Sequence, residues 1–199
     1  MTTTRATGRP YDKALYLRPT PEQMAAAPGL TLPDLIGPDL RVLFCGINPG
    51  LSSAAVGLHF ARPGNRFWPA LYASGFTPEL LPPVRQKELL GLGLGISSVV
   101  PRATVRADEL TLEEVREGGR ELVAKVEKYQ PAWVAILGIT VYRDAFERKH
   151  AKIGLQAERL GGSRLWVLPN PSGLNAHWTA QTLGEEFGRL RAAVDAPEA

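Results

Sequence analysis

Strand-like and helix-like segments alternate along this chain, and the alternation predicts an α/β fold: three αβα layers around a central, mainly parallel four-stranded sheet. Three observations carry the expectation. Short apolar runs at 42–47, 94–100, 133–137 and 165–168 have the length and composition of buried strands. Each run leads into turn-forming residues: Asn48-Pro49-Gly50, Pro101, Gly138 and Pro169. Between the runs, apolar residues recur at helical spacing. With 199 residues, 44% hydrophobic and 22% charged, the chain has the size of one domain and ample material for a core.

Residues 1–38 stand apart. Pro10, Pro19, Pro21, Pro28, Pro33 and Pro38 fall among Thr, Arg and Ala, which argues against long regular structure and for a Pro/Arg-rich leader or surface wrap. One short helix is expected there, capped by Thr20, with Pro21 at its first position and its end at Ala27. Residues 39–199 form the folded domain. After the first strand and its loop, 65–74 reads as a helix stopped by Gly75, and 83–90 as another stopped by Gly91. The second strand leads into the loop PRATVRADE at 101–109. Thr111 and Glu114 form a capping-box pair, and Leu112, Val115, Gly119, Leu122, Val126 and Tyr129 then predict a long amphipathic helix over 111–128. Pro131 ends it. Residues 140–149 read as the next helix, and Leu183, Phe187, Leu190 and Val194 mark the last.

The formal net charge of +3, supplied mostly by arginine, is compatible with a polyanionic partner without requiring one. Cys45, the single cysteine, lies inside the first strand, so the chain builds no internal disulfide, zinc cluster or iron-sulfur cluster. His59, His150 and His177 have no metal-ligand spacing with one another or with the cysteine, and neither a metal nor another cofactor is expected. Met1 is followed by Thr-Thr-Thr-Arg with no apolar run suited to a signal peptide or membrane span, so a cytoplasmic protein is expected.

Two strands end in an asparagine held by prolines and glycines: Asn48 in GINPGLSS at 46–53, and Asn170 in LPNPSGL at 168–174. A parallel sheet delivers such strand ends to one functional edge, so both corners are expected to open onto one crevice. Ordinary turn punctuation is the alternative, since Asn is a common turn residue. The paired motifs, with NRFW at 65–68 and ILG at 136–138 between them, resemble the mismatch-specific uracil DNA glycosylases, bacterial relatives of thymine DNA glycosylase. The similarity runs from about Pro38 to about Val194.

That resemblance implies the uracil-DNA glycosylase-like fold and a monomeric, monofunctional base-excision enzyme. Its partner would be double-stranded DNA carrying a G·U or related mismatch. The enzyme would flip uracil out of the stack and hydrolyse its N-glycosidic bond, leaving an abasic site. By similarity, Asn48 matches the catalytic asparagine that positions water, and Asn170 a residue contacting the flipped base. Phe60 matches the aromatic that stacks under that base, with the backbone of Ile47 and Gly50 lining the slot. Ser172, Gly173, Leu174 and Asn175 form the loop that meets the unpaired guanine, with Leu174 as the wedge. Ser98 stands where relatives carry lysine, which removes the side chain for a lysine-to-phosphate contact there. No lysine falls inside either motif, which disfavours Schiff-base lyase chemistry.

Asp108 is expected on the residues rather than the resemblance: it lies in the loop after the second strand, where a carboxylate near the water would act as general base or stabilise a cationic sugar. A solvated loop carboxylate is its rival reading. Two other functions remain open. One is a doubly wound nucleotide-binding domain, although neither G-x-G-x-x-G nor a Walker lysine is present. The other is a DNA-binding scaffold without catalysis.

Overall fold

The computed structural model describes residues 16–197. Its strands are β1 (Val42–Gly46), β2 (Leu94–Ser98), β3 (Trp133–Leu137), β4 (Gly154–Leu160) and β5 (Ser163–Leu168), in the sheet order β2-β1-β3-β5-β4. The first three and β5 run parallel, while β4 pairs antiparallel with β5. The helices are α1 (Pro21–Ala26), α2 (Leu51–Val56), α3 (Phe67–Ala73), α4 (Glu88–Gly91), α5 (Leu112–Tyr129), α6 (Ile139–Ala145) and α7 (Ala180–Asp195).

Because side chains alternate across a strand, each parallel strand serves two cores at once. Val42, Phe44, Ala135, Leu137 and Leu168 face α3 and α7, meeting Phe67, Trp68, Leu71, Leu183 and Phe187. Leu43, Cys45, Val134, Ile136 and Val167 face α5 and α6, meeting Leu122, Val126, Val141 and Tyr142. Continuous apolar runs are the sequence signature of that double burial. Each fully buried large side chain stabilises the fold by about 1.5–3 kcal/mol. Burial also pushes the Cys45 thiol pKa up, consistent with a packing role. Among the described residues, no helix is long and apolar enough to cross a membrane.

The sheet has five strands rather than the expected four. Strand β4 alternates partly buried and exposed residues at the sheet edge and carries Gln156, Glu158 and Arg159, so no apolar run announces it. It joins β5 through Gly161 and Gly162, both at positive φ (53° and 93°), the geometry of a tight two-residue hairpin. Helix α2, directly after the Asn48 corner, is also additional to the expected elements. Other boundaries shift. The 83–90 segment divides into a 3₁₀ turn at Pro83–Arg85 and α4, and β2 ends at Ser98. Helix α6 stops at Ala145, after which Glu147 takes a left-handed φ of 56°.

The expected Thr20 cap is present: its side chain accepts from the Gln23 backbone N–H at 3.2 Å, while the Gln23 side chain reaches back to the Thr20 N–H. Farther on, Leu35 exchanges two main-chain hydrogen bonds of 2.8 Å with Ile96, so this residue, within the segment expected to be a leader, pairs with β2 at the sheet edge.

Candidate active site

At the carboxyl ends of β1 and β5 lies a cavity of about 440 Å³. Its walls include Ile47, Asn48, Gly50, Phe60, Asp108, Asn170, Ser172 and Leu174, so eight of the residues singled out from sequence converge on one space. Gly173 is not among its lining residues. Asn175 lines an adjoining groove that shares Ile47, Asn170, Ser172 and Leu174 with the cavity.

The β1 corner is held by the segment after β2. Past the strands, Val99 and Val100 donate to the carbonyls of Gly46 and Ile47, each at 2.9 Å, and Thr104 donates to Pro49 at 3.3 Å. This zipper brings Arg102 and Thr104 beside Asn48. The Asn48 amide nitrogen donates to the Arg102 carbonyl at 3.0 Å and to the Thr104 hydroxyl at 2.7 Å. A backbone carbonyl only accepts, so this contact fixes which end of the amide is nitrogen. Both N–H groups are engaged, and the carbonyl oxygen is left as the available polar end.

The β5 corner has the opposite polarity. Asn170 accepts from the Ser172 backbone N–H at 2.9 Å through its side-chain oxygen. A backbone N–H only donates, so the amide orientation is again determined, and here the NH₂ group is left available. Asn170 therefore braces its own turn and still retains a donor. Its backbone carbonyl also accepts from the Asn175 side chain at 3.1 Å.

Phe60 sits at a left-handed φ of 51°, a rare conformation for an aromatic residue. Its ring stacks on Phe67 with centroids 4.1 Å apart and an interplanar angle of 28°. Gly46 makes room for it: a Cβ built at that position would come within 3.3 Å of the Phe60 ring. The ring is thus backed by the core and also lines the cavity. Its neighbour His59, buried and also lining the cavity, donates from Nε2 to the Pro33 carbonyl at 3.0 Å, and burial pushes its pKa below the usual imidazole value.

Asp108 lies in the 3₁₀ turn Ala107–Glu109 at the cavity wall, exposed and ion-paired with Arg106, which lines the same wall. Arg62 adds a further cation to the lining. Arg102, whose carbonyl holds Asn48, pairs through its guanidinium with Glu114 at 2.6 Å. Glu114 also completes the predicted capping box with Thr111 at the start of α5. That pairing, reinforced by the Thr111 backbone N–H, holds the Glu114 carboxyl at about 2.

Thr104 and the Arg102 carbonyl are partners of Asn48 that sequence reasoning passes over. Their partner is more than fifty positions away, and no local pattern marks a threonine in PRATVRADE as the acceptor for Asn48. Arg62 is passed over as well, since a lone arginine in a loop resembles any solvated charge.

The cavity lining combines an acceptor at one strand end, a donor at the other, the Phe60 ring and the cations Arg62 and Arg106. The family model described as the uracil DNA glycosylase superfamily matches residues 33–192, a span that takes in both asparagine corners and the wall carrying Asp108. On that match the chain belongs to the uracil DNA glycosylase superfamily, whose members are DNA glycosylases.

Proposed function

We propose that the protein removes uracil from G·U mismatches in double-stranded DNA as a monofunctional glycosylase, working as a monomer. The observation that carries this reading is the opposite polarity of the two asparagines on one cavity. The extruded uracil stacks on Phe60, with the Ile47 and Gly50 backbone closing the slot, and stacking contributes about 1–3 kcal/mol. Asn170 donates its NH₂ to a uracil carbonyl. As the bond between C1′ and N1 breaks, its electron pair moves onto the base, and this hydrogen bond strengthens with the growing negative charge.

Water held by the Asn48 carbonyl attacks C1′. An amide is too weak a base to take the water proton early, and Asp108 accepts it as the water oxygen bonds to carbon. DNA phosphates take over the Arg106 guanidinium as the duplex docks, leaving the carboxylate free for that task. Leu174, 74% exposed on the loop between β5 and α7, fills the space vacated by the flipped base. Ser172, Gly173 and Asn175 shape that loop against the unpaired guanine. A mismatched base costs less to extrude than a paired one, which favours uracil opposite guanine over uracil opposite adenine.

Single-turnover rates on duplexes carrying uracil, thymine or ethenocytosine opposite guanine, with uracil opposite adenine for comparison, test the specificity. Faster excision from G·U than from A·U supports it, and equal rates reject it. Tight binding of free nucleotides with indifference to DNA would instead favour a nucleotide-binding domain.

A further inference from the structure

Leu174 is exposed, so its own side chain does little to fix where it points. Within the loop, the Ser172 hydroxyl accepts from the Leu174 N–H at 3.3 Å and the Asn175 side chain donates to the Asn170 carbonyl at 3.1 Å; from outside it, Arg66 reaches the loop's carbonyls. Half-buried Arg66, immediately before α3, donates through Nη1 to the carbonyls of Asn175 at 2.9 Å and Trp178 at 2.5 Å. Its Nη2 lies 3.4 Å from the Gly173 carbonyl. The carbonyls just before and just after Leu174 are therefore drawn to one guanidinium. In a trans peptide the N–H points opposite to its carbonyl, so anchoring Asn175 also turns the Ala176 N–H away from Arg66.

The backbone supports the same contact. Arg66 donates its own N–H to the Pro171 carbonyl at 2.9 Å. A Cβ at Gly173 would fall 2.3 Å from the Gly64 carbonyl, so the two loops touch where a side chain would not fit. Segment 64–66 thus forms a platform under 171–178, with the planar fork of Arg66 as its polar centre.

We propose that Arg66 is a positioning residue for mismatched duplex DNA, setting the wedge loop for base extrusion without touching the extruded base. This rests on the glycosylase reading, and two measurements separate them. The first needs no activity: hydrogen exchange in wild type, Arg66→Ala and Arg66→Lys. Amides at 173–178 should exchange at least tenfold faster in Arg66→Ala, with α3 and α7 protected as in wild type, and Arg66→Lys should lie between. Unchanged exchange in the loop overturns the proposal.

The second measurement compares uracil excision from a G·U duplex with excision from a duplex carrying uracil opposite a tetrahydrofuran abasic analogue, where no partner base must be separated. Arg66→Ala should lose tenfold or more on G·U and less than threefold on the abasic duplex. Equal losses on both substrates would mean that Arg66 only supports the fold, and would overturn the positioning role. Absence of uracil release by wild type on both duplexes would reject the glycosylase reading, while the exchange data would still decide whether Arg66 orders the loop.

Discussion

Asn48 and Asn170, on the wall of one cavity, leave opposite ends of the same functional group available: Asn48 engages both N–H groups with Arg102 and Thr104, and Asn170 engages its oxygen with Ser172. The polarity of each follows from a backbone partner that can only accept or only donate. Under the proposed mechanism, Asn170→Ala should lose about 1.5–3 kcal/mol of transition-state stabilisation, the range for a hydrogen bond to a charged group. Asn170→Asp should be slower still, since it can keep the bond to Ser172 but faces the departing anion with a negative charge. Single-turnover kinetics on a G·U duplex compare the two; an Asp variant faster than the Ala variant would contradict this donor role.

Thr104 is the acceptor that completes the grip on Asn48. Thr104→Val leaves one amide N–H without its partner, a change worth about 0.5–1.5 kcal/mol. The expected result is a lower kcat with KM nearly unchanged, read from steady-state kinetics, because water positioning rather than DNA binding is disturbed.

Gly46 and Phe60 form a second coupled pair. A methyl at position 46 would meet the ring at 3.3 Å and displace it by a few tenths of an ångström. Gly46→Ala should therefore reproduce part of the loss in Phe60→Ala, for which about 1–3 kcal/mol of base stacking is at stake. The double variant should lose less than the sum of the single losses, measured as kcat/KM.

Asp108 is tested by its isostere. Asp108→Asn removes the proton acceptor and should flatten the acidic side of the single-turnover pH profile while lowering the rate. An unchanged profile removes Asp108 from the mechanism.

The Arg102–Glu114 pair gives a stability prediction with a defined sign. The Glu114 carboxyl is depressed from its ordinary 4.5 to about 2, so its contribution is present above 4.5 and fades as the pH falls through about 2. Thermal melts of wild type and Glu114→Gln should converge over that interval. A difference that grows on acidification would contradict the assignment.

The convergence of the two corners is legible in the sequence because parallel strands terminate at one edge, and Asn48 and Asn170 each follow an apolar run closed by proline. The α5 capping box is legible for a similar local reason: Thr111 and Glu114 are three residues apart. Contacts across the chain are less so. Nothing near Thr104 marks its bond to Asn48, and nothing in NRFW shows that Arg66 reaches the carbonyls around Leu174. Strand β4 is a different case, for Gly161-Gly162 is a hairpin signal, but the polar residues on its half-buried edge hide the strand before it.

The most direct measurement is release of free uracil from a G·U duplex by wild type and by Asn48→Ala in single-turnover reactions. Rapid release by wild type, slowed on the order of 10²–10³-fold in the variant, is the predicted result. No release by wild type, or a variant that works at nearly the full rate, would contradict it.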